Sequence, residues 1–224
     1  MTRAAIGEAF ARWQAANPHP ATELEYGSPF QLLVAVVLSA QATDRGVNLA
    51  TRGLFAAAAT PEAMATLGEA GIAAHIRTIG LYRNKARNVA QLSRQLLERH
   101  AGEVPRTREA LEALPGVGRK TANVVLNTIW REAVMAVDTH IFRVANRMGL
   151  APGKDVRAVE DALMRRVPAA FLVDAHHWLI LHGRYVCTAR APRCGGCIVR
   201  TLCQYPDKTD LPLPGGHPHV QPQP

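Results

Sequence analysis

Hydrophobic residues recur along this chain at three- and four-residue intervals, which is the spacing of amphipathic α-helices, whereas the alternation typical of β-strands is nearly absent. The pattern therefore predicts an all-α fold. Helices are predicted over residues 3–16, after the Ser28 cap, over 60–68 and 82–100, after the Thr107 cap, and over 119–130, 138–149, 155–166 and 168–186. The longest apolar run, residues 32–38, is far shorter than the ~20 residues that cross a bilayer, so no membrane span is expected.

Length and composition limit the class of protein. A chain of 224 residues suits one large domain or two small ones, and 48% hydrophobic with 20% charged residues excludes a wholly disordered chain. The start lacks the features of a secretory signal, so the expected compartment is the cytoplasm. Residues 206–224 are rich in proline and have no periodic apolar face, which predicts a disordered tail.

The net charge is strongly positive. Lys and Arg number 26 against 18 Asp and Glu, which gives +8 and a sequence pI near 9.9. This balance indicates a polyanionic partner, either nucleic acid or an anionic membrane, although a basic protein without such a partner fits the charge as well. Only four of the cations are lysines, so a lysine at a mechanistic position is conspicuous.

All four cysteines lie close together near the end of the chain. Cys187, Cys194, Cys197 and Cys203 follow the spacing C-x6-C-x2-C-x5-C. Disulfides are not expected in a cytosolic chain of this size, so the cluster predicts a set of metal ligands. Four thiolates suit tetrahedral zinc and a [4Fe–4S] cluster equally, and the spacing does not choose between them. Either group would fold a loop that has few apolar residues.

The segment LPGVGRKTA, residues 114–122, places two glycines in a tight turn just before a predicted helix. Such a turn presents backbone N–H groups at the positive end of a helix dipole, which is a phosphate site that needs no side chain. Because helices flank it on both sides, the segment predicts a helix-hairpin-helix that contacts the DNA backbone without reading base sequence.

Lys120 and Asp138 each allow a structural and a chemical interpretation. Lys120 lies in the first turn of the helix after the hairpin, where the dipole and Arg119 disfavour its positive charge and lower its pKa. A neutral amine is a nucleophile, but on spacing alone a second phosphate contact is the better interpretation. Asp138 alone is best explained as an ordinary helix N-cap, a role that does not exclude catalysis.

Six segments together closely resemble the bacterial endonuclease III family. They are LSAQATD (38–44), TIGLY (78–82), LPGVGRKTA (114–122), VDTHIFRVANR (137–147), HHWLILHGRYVC (176–187) and the four-cysteine loop. The resemblance extends from about residue 17 to residue 205. It implies a bifunctional DNA glycosylase and AP lyase of base excision repair, and it resolves the cysteine question in favour of a [4Fe–4S] cluster.

The resemblance also implies the domain organisation. It consists of two helical lobes, a six-helix barrel with the helix-hairpin-helix over residues 22–132 and an iron–sulfur lobe formed by residues 1–21 and 133–205. The cleft between the lobes would hold Lys120 on one wall and Asp138 on the other.

Site roles follow from the resemblance residue by residue. Lys120 would attack the sugar C1′, and Asp138 would stabilise the developing oxocarbenium charge or assist deprotonation of the nucleophile. Gln41 and Leu81 would fill the space that a flipped nucleotide leaves. The other implied DNA contacts are Leu114, Gly116, Val117, Gly118, Arg119 and Arg193. Residues implied near the site, to relay protons or orient the pair, are Ser39, Asp44, Glu112 and His140.

The implied reaction is removal of an oxidised pyrimidine from duplex DNA, followed by cleavage 3′ to the abasic site by β-elimination through a Lys120 Schiff base. The protein would be a monomer, associated with the nucleoid in the bacterial cytoplasm. Two alternatives remain open. One is a DNA-structure-binding protein without catalysis, and the other is a monofunctional mismatch glycosylase of the same superfamily.

Overall fold

The computed structural model describes residues 1–214, which form ten α-helices and two short 3-10 turns. The helices are α1 (Arg3–Ala16), α2 (Pro29–Leu38), α3 (Asp44–Ala57), α4 (Pro61–His75), α5 (Tyr82–His100), α6 (Arg108–Glu112), α7 (Arg119–Trp130), α8 (Thr139–Met148), α9 (Val156–Arg166) and α10 (Leu172–Tyr185). The 3-10 turns lie at Ala169–Phe171 and Cys194–Gly196. No β-strand occurs within residues 1–214, so the prediction of an all-α fold is confirmed.

Polar side chains cap the helices where the sequence predicted helix starts. Ser28 Oγ accepts the backbone N–H of Gln31 at 3.2 Å before α2, and Asp155 Oδ1 accepts that of Ala158 at 2.8 Å before α9. Thr107 begins α6 in the same way. Each such cap satisfies a backbone donor that the helix leaves unpaired and contributes about 1 kcal/mol.

Helix α3 is absent from the predicted set. Thr43 caps its start, and its buried positions include Val47, Ala50 and Leu54, which share one helix face. With Thr51 they follow the helical spacing i, i+3, i+4, i+7, so the sequence contains a signal for this helix. The exposed Leu49 lies off that face and obscures the pattern.

Two predicted helices have different bounds in the structure. Gly68 has φ 69° and ψ 175°, which interrupts α4, and a second helical segment continues beyond it to His75. The predicted stop at Gly68 is therefore a kink. The helix predicted over residues 168–186 begins with the 3-10 turn Ala169–Phe171, and α10 follows from Leu172.

The chain divides into two compact units. We call Thr22–Arg131 the hairpin unit, and Met1–Ala21 together with Glu132–Pro224 the cysteine unit. In the hairpin unit, α2 is apolar on every side and packs against α3, α5 and α7, while α4 packs along α5. Helix α2 thus forms the centre of this core. No helix in the described part of the chain has the length and hydrophobicity to cross a membrane.

Aromatic side chains from both ends of the sequence form the core of the cysteine unit. Helix α1 packs on α10, and α8 packs on α9 and α10. Phe10 and Trp13 of α1 meet edge to face at 5.0 Å between ring centroids, and Phe10 also packs against Trp178 of α10. The indole N–H of Trp178 donates to the backbone oxygen of Asn17 at 2.8 Å. The N-terminal helix therefore shares its core with residues that follow position 132.

Part of the predicted disordered tail lies against the cysteine loop, which we define as residues 187–203. The backbone N–H of Gly195 donates to the oxygen of Leu211 at 3.0 Å, and Arg200 Nη2 donates to Asp210 Oδ1 at 2.8 Å. A Cβ at Gly195 would lie 2.5 Å from the backbone oxygen of Asp210, so glycine is required at this approach. Contacts made through the backbone require no periodic pattern of apolar residues in the sequence. The sequence therefore predicted disorder for a segment that lies against the cysteine loop. The rest of the predicted tail, residues 215–224, lies outside the described residues.

Candidate functional site

Two buried side chains anchor the hairpin between α6 and α7. Leu114 is 3% exposed and Val117 is 6% exposed, and the backbone N–H of Val117 donates to the oxygen of Leu114 at 3.1 Å. Their side chains therefore belong to the core of the hairpin unit. Any contact that these two positions make with a ligand must come from the backbone.

Glycine occupies the two hairpin positions, 116 and 118, for different structural reasons. Gly116 has φ 79°, and a Cβ there would lie 2.9 Å from Nδ2 of Asn88 on α5. Gly118 caps α7 without a side-chain hydrogen bond, and a Cβ there would meet nothing within 4 Å. Gly116 is therefore required by the turn itself, whereas Gly118 keeps the positive end of α7 open to an anion.

Lys120 is the second residue of α7 and is half-buried. It thus occupies the first helical turn, as the sequence predicted, and Arg119 lies beside it at the start of the helix. Both side chains extend from the end of α7 where the helix dipole is positive. The same turn that can hold a phosphate also carries a lysine amine.

A second lysine in the hairpin unit is buried. Burial lowers the pKa of the Lys85 ammonium on α5, and within the described residues its Nζ has no hydrogen-bond partner. A lowered pKa favours the neutral amine, but a buried Nζ cannot reach a substrate without rearrangement. Lys85 therefore serves as a control for Lys120, because a lowered pKa without access to substrate should not give a nucleophile.

Gln41 and Leu81 share an unusual backbone conformation. Their φ values are 55° and 60°, in the left-handed region that residues with a Cβ rarely adopt, and each precedes a helix start. Leu81 is 59% exposed despite its apolar side chain. A left-handed non-glycine residue costs roughly 1–2 kcal/mol. Ala101 and Arg131 have the same conformation, but each of them ends a helix.

Asp138 is the N-cap of α8. Its Oδ1 accepts the backbone N–H groups of His140 and Ile141, both at 2.9 Å. The structural interpretation of Asp138 as a cap is thus correct. The Asp138 residue is half-buried. Burial lowers the pKa of the Arg143 guanidinium, and the nearby Asp138 carboxylate opposes that change only in part.

The remaining predicted residues are distributed over both units. Ser39 ends α2 and donates to the oxygen of Val36 at 2.8 Å. Asp44 begins α3, and Glu112 is exposed at the end of α6. In the cysteine unit, His140 Nδ1 lies 3.2 Å from Arg143 Nη2, and Arg193 Nη1 donates to the oxygen of Tyr185 at 3.4 Å.

The four cysteine thiols are half-buried neighbours. Burial, together with the three other cysteines, raises the pKa of Cys197 to about 12, although a backbone hydrogen bond from Val199 opposes this change. Burial also raises the pKa of Cys203. Thiols in this arrangement ionise readily only beside a strong positive charge, which a bound metal supplies. Among residues 1–214, no three His, Cys, Asp or Glu side chains are grouped closely enough to share one metal ion.

Nitrogen atoms lie near the sulfurs of Cys187, Cys197 and Cys203. Arg147 Nη1 donates to Cys187 Sγ at 3.8 Å, and the backbone N–H of Tyr205 donates to Cys203 Sγ at 3.5 Å. The imidazole Nε2 of His182 lies 3.9 Å from Cys197 Sγ. Donors of this kind orient thiolate ligands and modulate their charge.

Sequence reasoning missed the two arginines of α8 that hold the cysteine loop. Arg143 Nε donates to the oxygen of Cys187 at 2.9 Å, and Arg147 donates to the oxygens of Thr188 and Ala189, both at 2.7 Å. The i,i+4 spacing of the arginines places them on one helix face, and this spacing could have indicated a shared partner.

Comparison with known proteins assigns the chain to a family. Residues 34–169 match the model of the HhH-GPD superfamily base excision DNA repair proteins. Endonuclease III of Haemophilus influenzae is 60% identical over 91% of this chain and 97% of the relative. Endonuclease III of Escherichia coli K12 is 59% identical over 94% of this chain and 100% of the relative. The chain belongs to the endonuclease III family.

A solved structure supports the same assignment at the level of the fold. A trapped endonuclease III–DNA covalent intermediate, an estranged-adenine complex, matches with a TM-score of 0.85 and 42% identity over 91% of this chain and 96% of that one. Like the endonuclease III family, this chain is a base excision repair enzyme, a DNA glycosylase with AP lyase activity. Among the partners that the charge left open, the structures of endonuclease III with DNA support DNA.

Proposed function

We propose that this enzyme removes oxidised pyrimidines from duplex DNA and cleaves the strand 3′ to the resulting abasic site, with Lys120 as the nucleophile. One observation carries the proposal. Lys120 lies in the first turn of α7, directly after an uncapped hairpin that can hold DNA phosphate. The covalent DNA intermediate of the 42% identical endonuclease III supports a covalent mechanism. Since the substrate is chromosomal DNA, the site of action is the bacterial nucleoid.

The chemistry begins with the Lys120 amine. Its Nζ forms a bond to C1′ of the damaged nucleotide while the glycosidic bond breaks and the base leaves with that electron pair and a proton. The C1′–O4′ bond of the sugar then breaks, O4′ takes that electron pair and a proton, and the nitrogen forms a double bond to C1′, which gives a protonated Schiff base. This cation acidifies the adjacent C2′ proton, whose loss expels the 3′ phosphate by β-elimination. Flipping the nucleotide out of the stack makes C1′ accessible.

Asp138 is proposed to act through its charge. Both cap bonds use Oδ1, so the helix orients the carboxylate and keeps it in one rotamer. An oriented carboxylate can stabilise developing oxocarbenium charge or accept a proton from the amine. Ser39, Asp44, Glu112 and His140 are proposed to act indirectly, by relaying protons or orienting this pair.

DNA binding is proposed to use the backbone of the hairpin and two exposed side chains. The amides of Gly116 and Gly118 would contact phosphate, with Arg119 and Arg193 adding charge. The backbone N–H groups of Leu114 and Val117 already donate to the oxygens of Leu111 and Leu114, so these two residues would shape the hairpin that presents the glycine amides. Gln41 and Leu81 would enter the duplex at the position that the flipped nucleotide leaves. The exposure of both side chains supports this role, since neither contributes to the core.

The cysteine loop is proposed to hold a [4Fe–4S] cluster. Cys187, Cys194, Cys197 and Cys203 would hold such a group, because four thiolates are its usual ligands and burial disfavours the ionisation of Cys197 and Cys203 unless a positive charge is bound beside them. When bound, the cluster supplies a cross-link that folds a loop with few apolar residues. On this basis we assign residues 1–21 and 133–205 to an iron–sulfur domain and residues 22–132 to a six-helix barrel domain.

Borohydride trapping tests the proposal. Wild type and the Lys120→Gln and Lys85→Met variants are incubated with a duplex that contains one thymine glycol or one abasic site, in the presence of borohydride. We expect a covalent adduct with wild type and with Lys85→Met, and none with Lys120→Gln, which should keep most of its affinity for DNA. The exposed Lys154→Gln is a second control.

Other outcomes would point to the alternatives. Base release without any adduct would indicate a monofunctional glycosylase. Binding without base release or adduct, from folded protein with its metal bound, would indicate a DNA-structure-binding protein. An adduct that survives in Lys120→Gln and disappears in Lys85→Met would place the nucleophile on α5.

A further inference from the structure

His182 links the aromatic core of the cysteine unit to one of the cysteines. It lies on α10, is 1% exposed, and has a different partner on each side of its ring. The indole Nε1 of Trp13 lies 3.3 Å from His182 Nδ1, and His182 Nε2 lies 3.9 Å from Cys197 Sγ. The Trp13 and His182 rings meet edge to face at 5.2 Å between centroids. Three residues far apart in the sequence thus form one continuous chain of polar contacts.

The indole determines which imidazole nitrogen carries the proton. An indole N–H can only donate a hydrogen bond, so His182 Nδ1 must accept it. In a neutral imidazole the proton then resides on Nε2. That nitrogen is the one next to Cys197, and the contact is therefore an N–H donated towards the sulfur. Because Trp13 is fully buried, water does not compete for Nδ1.

We propose that His182 is a positioning residue for the cluster, which donates Nε2–H to the Cys197 sulfur in the tautomer that Trp13 selects. The proposal rests on the proposed function, specifically on a [4Fe–4S] group at the four cysteines. Hydrogen bonds to the sulfurs of such a group stabilise its more negative, reduced form. His182 therefore raises the midpoint potential of the one-electron couple of the bound cluster.

His182 differs from the other donors around the cysteine sulfurs. Arg147 carries a permanent charge and is also held by loop carbonyls, and the Tyr205 donor is a backbone amide that no substitution removes. His182 alone among these three donors depends on a second side chain for its proton position. Removal of the Trp13 indole N–H should therefore weaken the hydrogen bond from His182 to Cys197 without any substitution at Cys197.

The test uses four variants of the full chain, purified with their iron. His182→Leu removes the donor, and His182→Gln keeps a side-chain N–H near the position of Nε2. Trp13→Phe keeps an aromatic ring and removes only the N–H that selects the tautomer. The double variant Trp13→Phe/His182→Leu completes a double-mutant cycle. The cycle separates the coupling between Trp13 and His182 from the effect that each substitution has on packing. The readouts are the midpoint potential on an electrode without DNA, the rate of iron release to a chelator, and the ¹⁵N shifts of the His182 ring.

We expect a lower midpoint potential and faster iron release in His182→Leu, with His182→Gln closer to wild type. Trp13→Phe should lower the potential by a smaller amount, and it should cause no further shift in the His182→Leu background. In wild type, the ¹⁵N shifts should report a protonated Nε2. If His182→Leu does not fold, Trp13→Phe and the ¹⁵N shifts of wild type still decide the question.

Three results would overturn the proposal. They are a wild-type potential in His182→Leu, equal shifts in His182→Leu and His182→Gln, and a protonated Nδ1 in wild type. Iron content and visible absorption of wild type test the proposed cofactor separately. Protein without iron would reject the cofactor itself, whereas iron-loaded protein with one of the three results would reject only the role of His182.

Discussion

Gly116 of the hairpin lies directly against Asn88 of α5. A Cβ added at Gly116 would approach Asn88 Nδ2 to 2.9 Å and Asn88 Cβ to 3.0 Å, and the φ of 79° already disfavours any side chain. The hairpin is thus held against a neighbouring helix at the position where it turns. Gly118, two residues later, has open space and an ordinary φ of −96°.

This contrast predicts different effects for two Gly→Ala substitutions. Gly116→Ala should lower the free energy of unfolding by about 1–3 kcal/mol, because it adds a left-handed alanine and a contact with Asn88. Gly118→Ala should cost less than about 1 kcal/mol but weaken DNA binding, since its methyl group lies in front of the α7 amides. Thermal unfolding and binding to an abasic duplex check both. Equal unfolding penalties in the two variants would contradict the distinction.

Asp138 allows its capping and chemical roles to be separated. Asparagine caps helices about as well as aspartate, so Asp138→Asn should unfold close to the wild-type temperature. Loss of the charge should nevertheless slow base release by about 10²–10⁴-fold, with little change in DNA affinity. Single-turnover kinetics measures this effect. Asp155→Asn, at the N-cap of α9, is the matched control and should change neither property. Parallel losses of binding and rate in Asp138→Asn would mean that the residue is only a cap.

Leu81 is predicted to be functional rather than stabilising. Leu81→Gly relieves the left-handed strain while it adds flexibility to the unfolded chain, so its net effect on stability should stay within about 1 kcal/mol. Base release should fall because the exposed apolar side chain is lost. Ala101→Gly, at the left-handed C-cap of α5, is the control and should leave base release unchanged. An unfolding penalty in Leu81→Gly much larger than this would instead assign Leu81 a packing role.

Arg193 should contribute one phosphate contact. Arg193→Ala is expected to reduce the slope of log affinity against log salt concentration by about 0.9, the value for one neutralised phosphate of B-DNA. The measurement uses an undamaged duplex, so that the chemistry does not contribute. Arg52→Ala removes the same charge from an exposed pair with Glu25 and serves as the control. A slope unchanged in Arg193→Ala would place the phosphate contacts elsewhere.

Most of the helices could be predicted because their determinants are local. The caps at Ser28, Thr107 and Asp155 act on backbone groups three residues away. The hairpin glycines and the spacing of the cysteines are equally short-range features. Helix α3 was missed although its buried residues follow helical spacing, because the exposed apolar Leu49 lies on the opposite face and obscures the pattern. The second segment of α4 was missed because Gly68 resembles a helix stop and acts as a kink.

The amino-acid sequence alone therefore determined the helical class, the hairpin with Lys120 in the following turn, the capping position of Asp138 and the candidate cysteine ligands. Tertiary packing decided that Asn88 supports Gly116, that residues 209–213 cover the cysteine loop, and that Trp13 lies against His182. The first group depends on hydrogen bonds and helical periodicity within a few residues. The second joins positions that are distant along the chain, such as Trp13 and His182 at a separation of 169 residues. No local pattern encodes such a pair, because its formation depends on how whole helices pack.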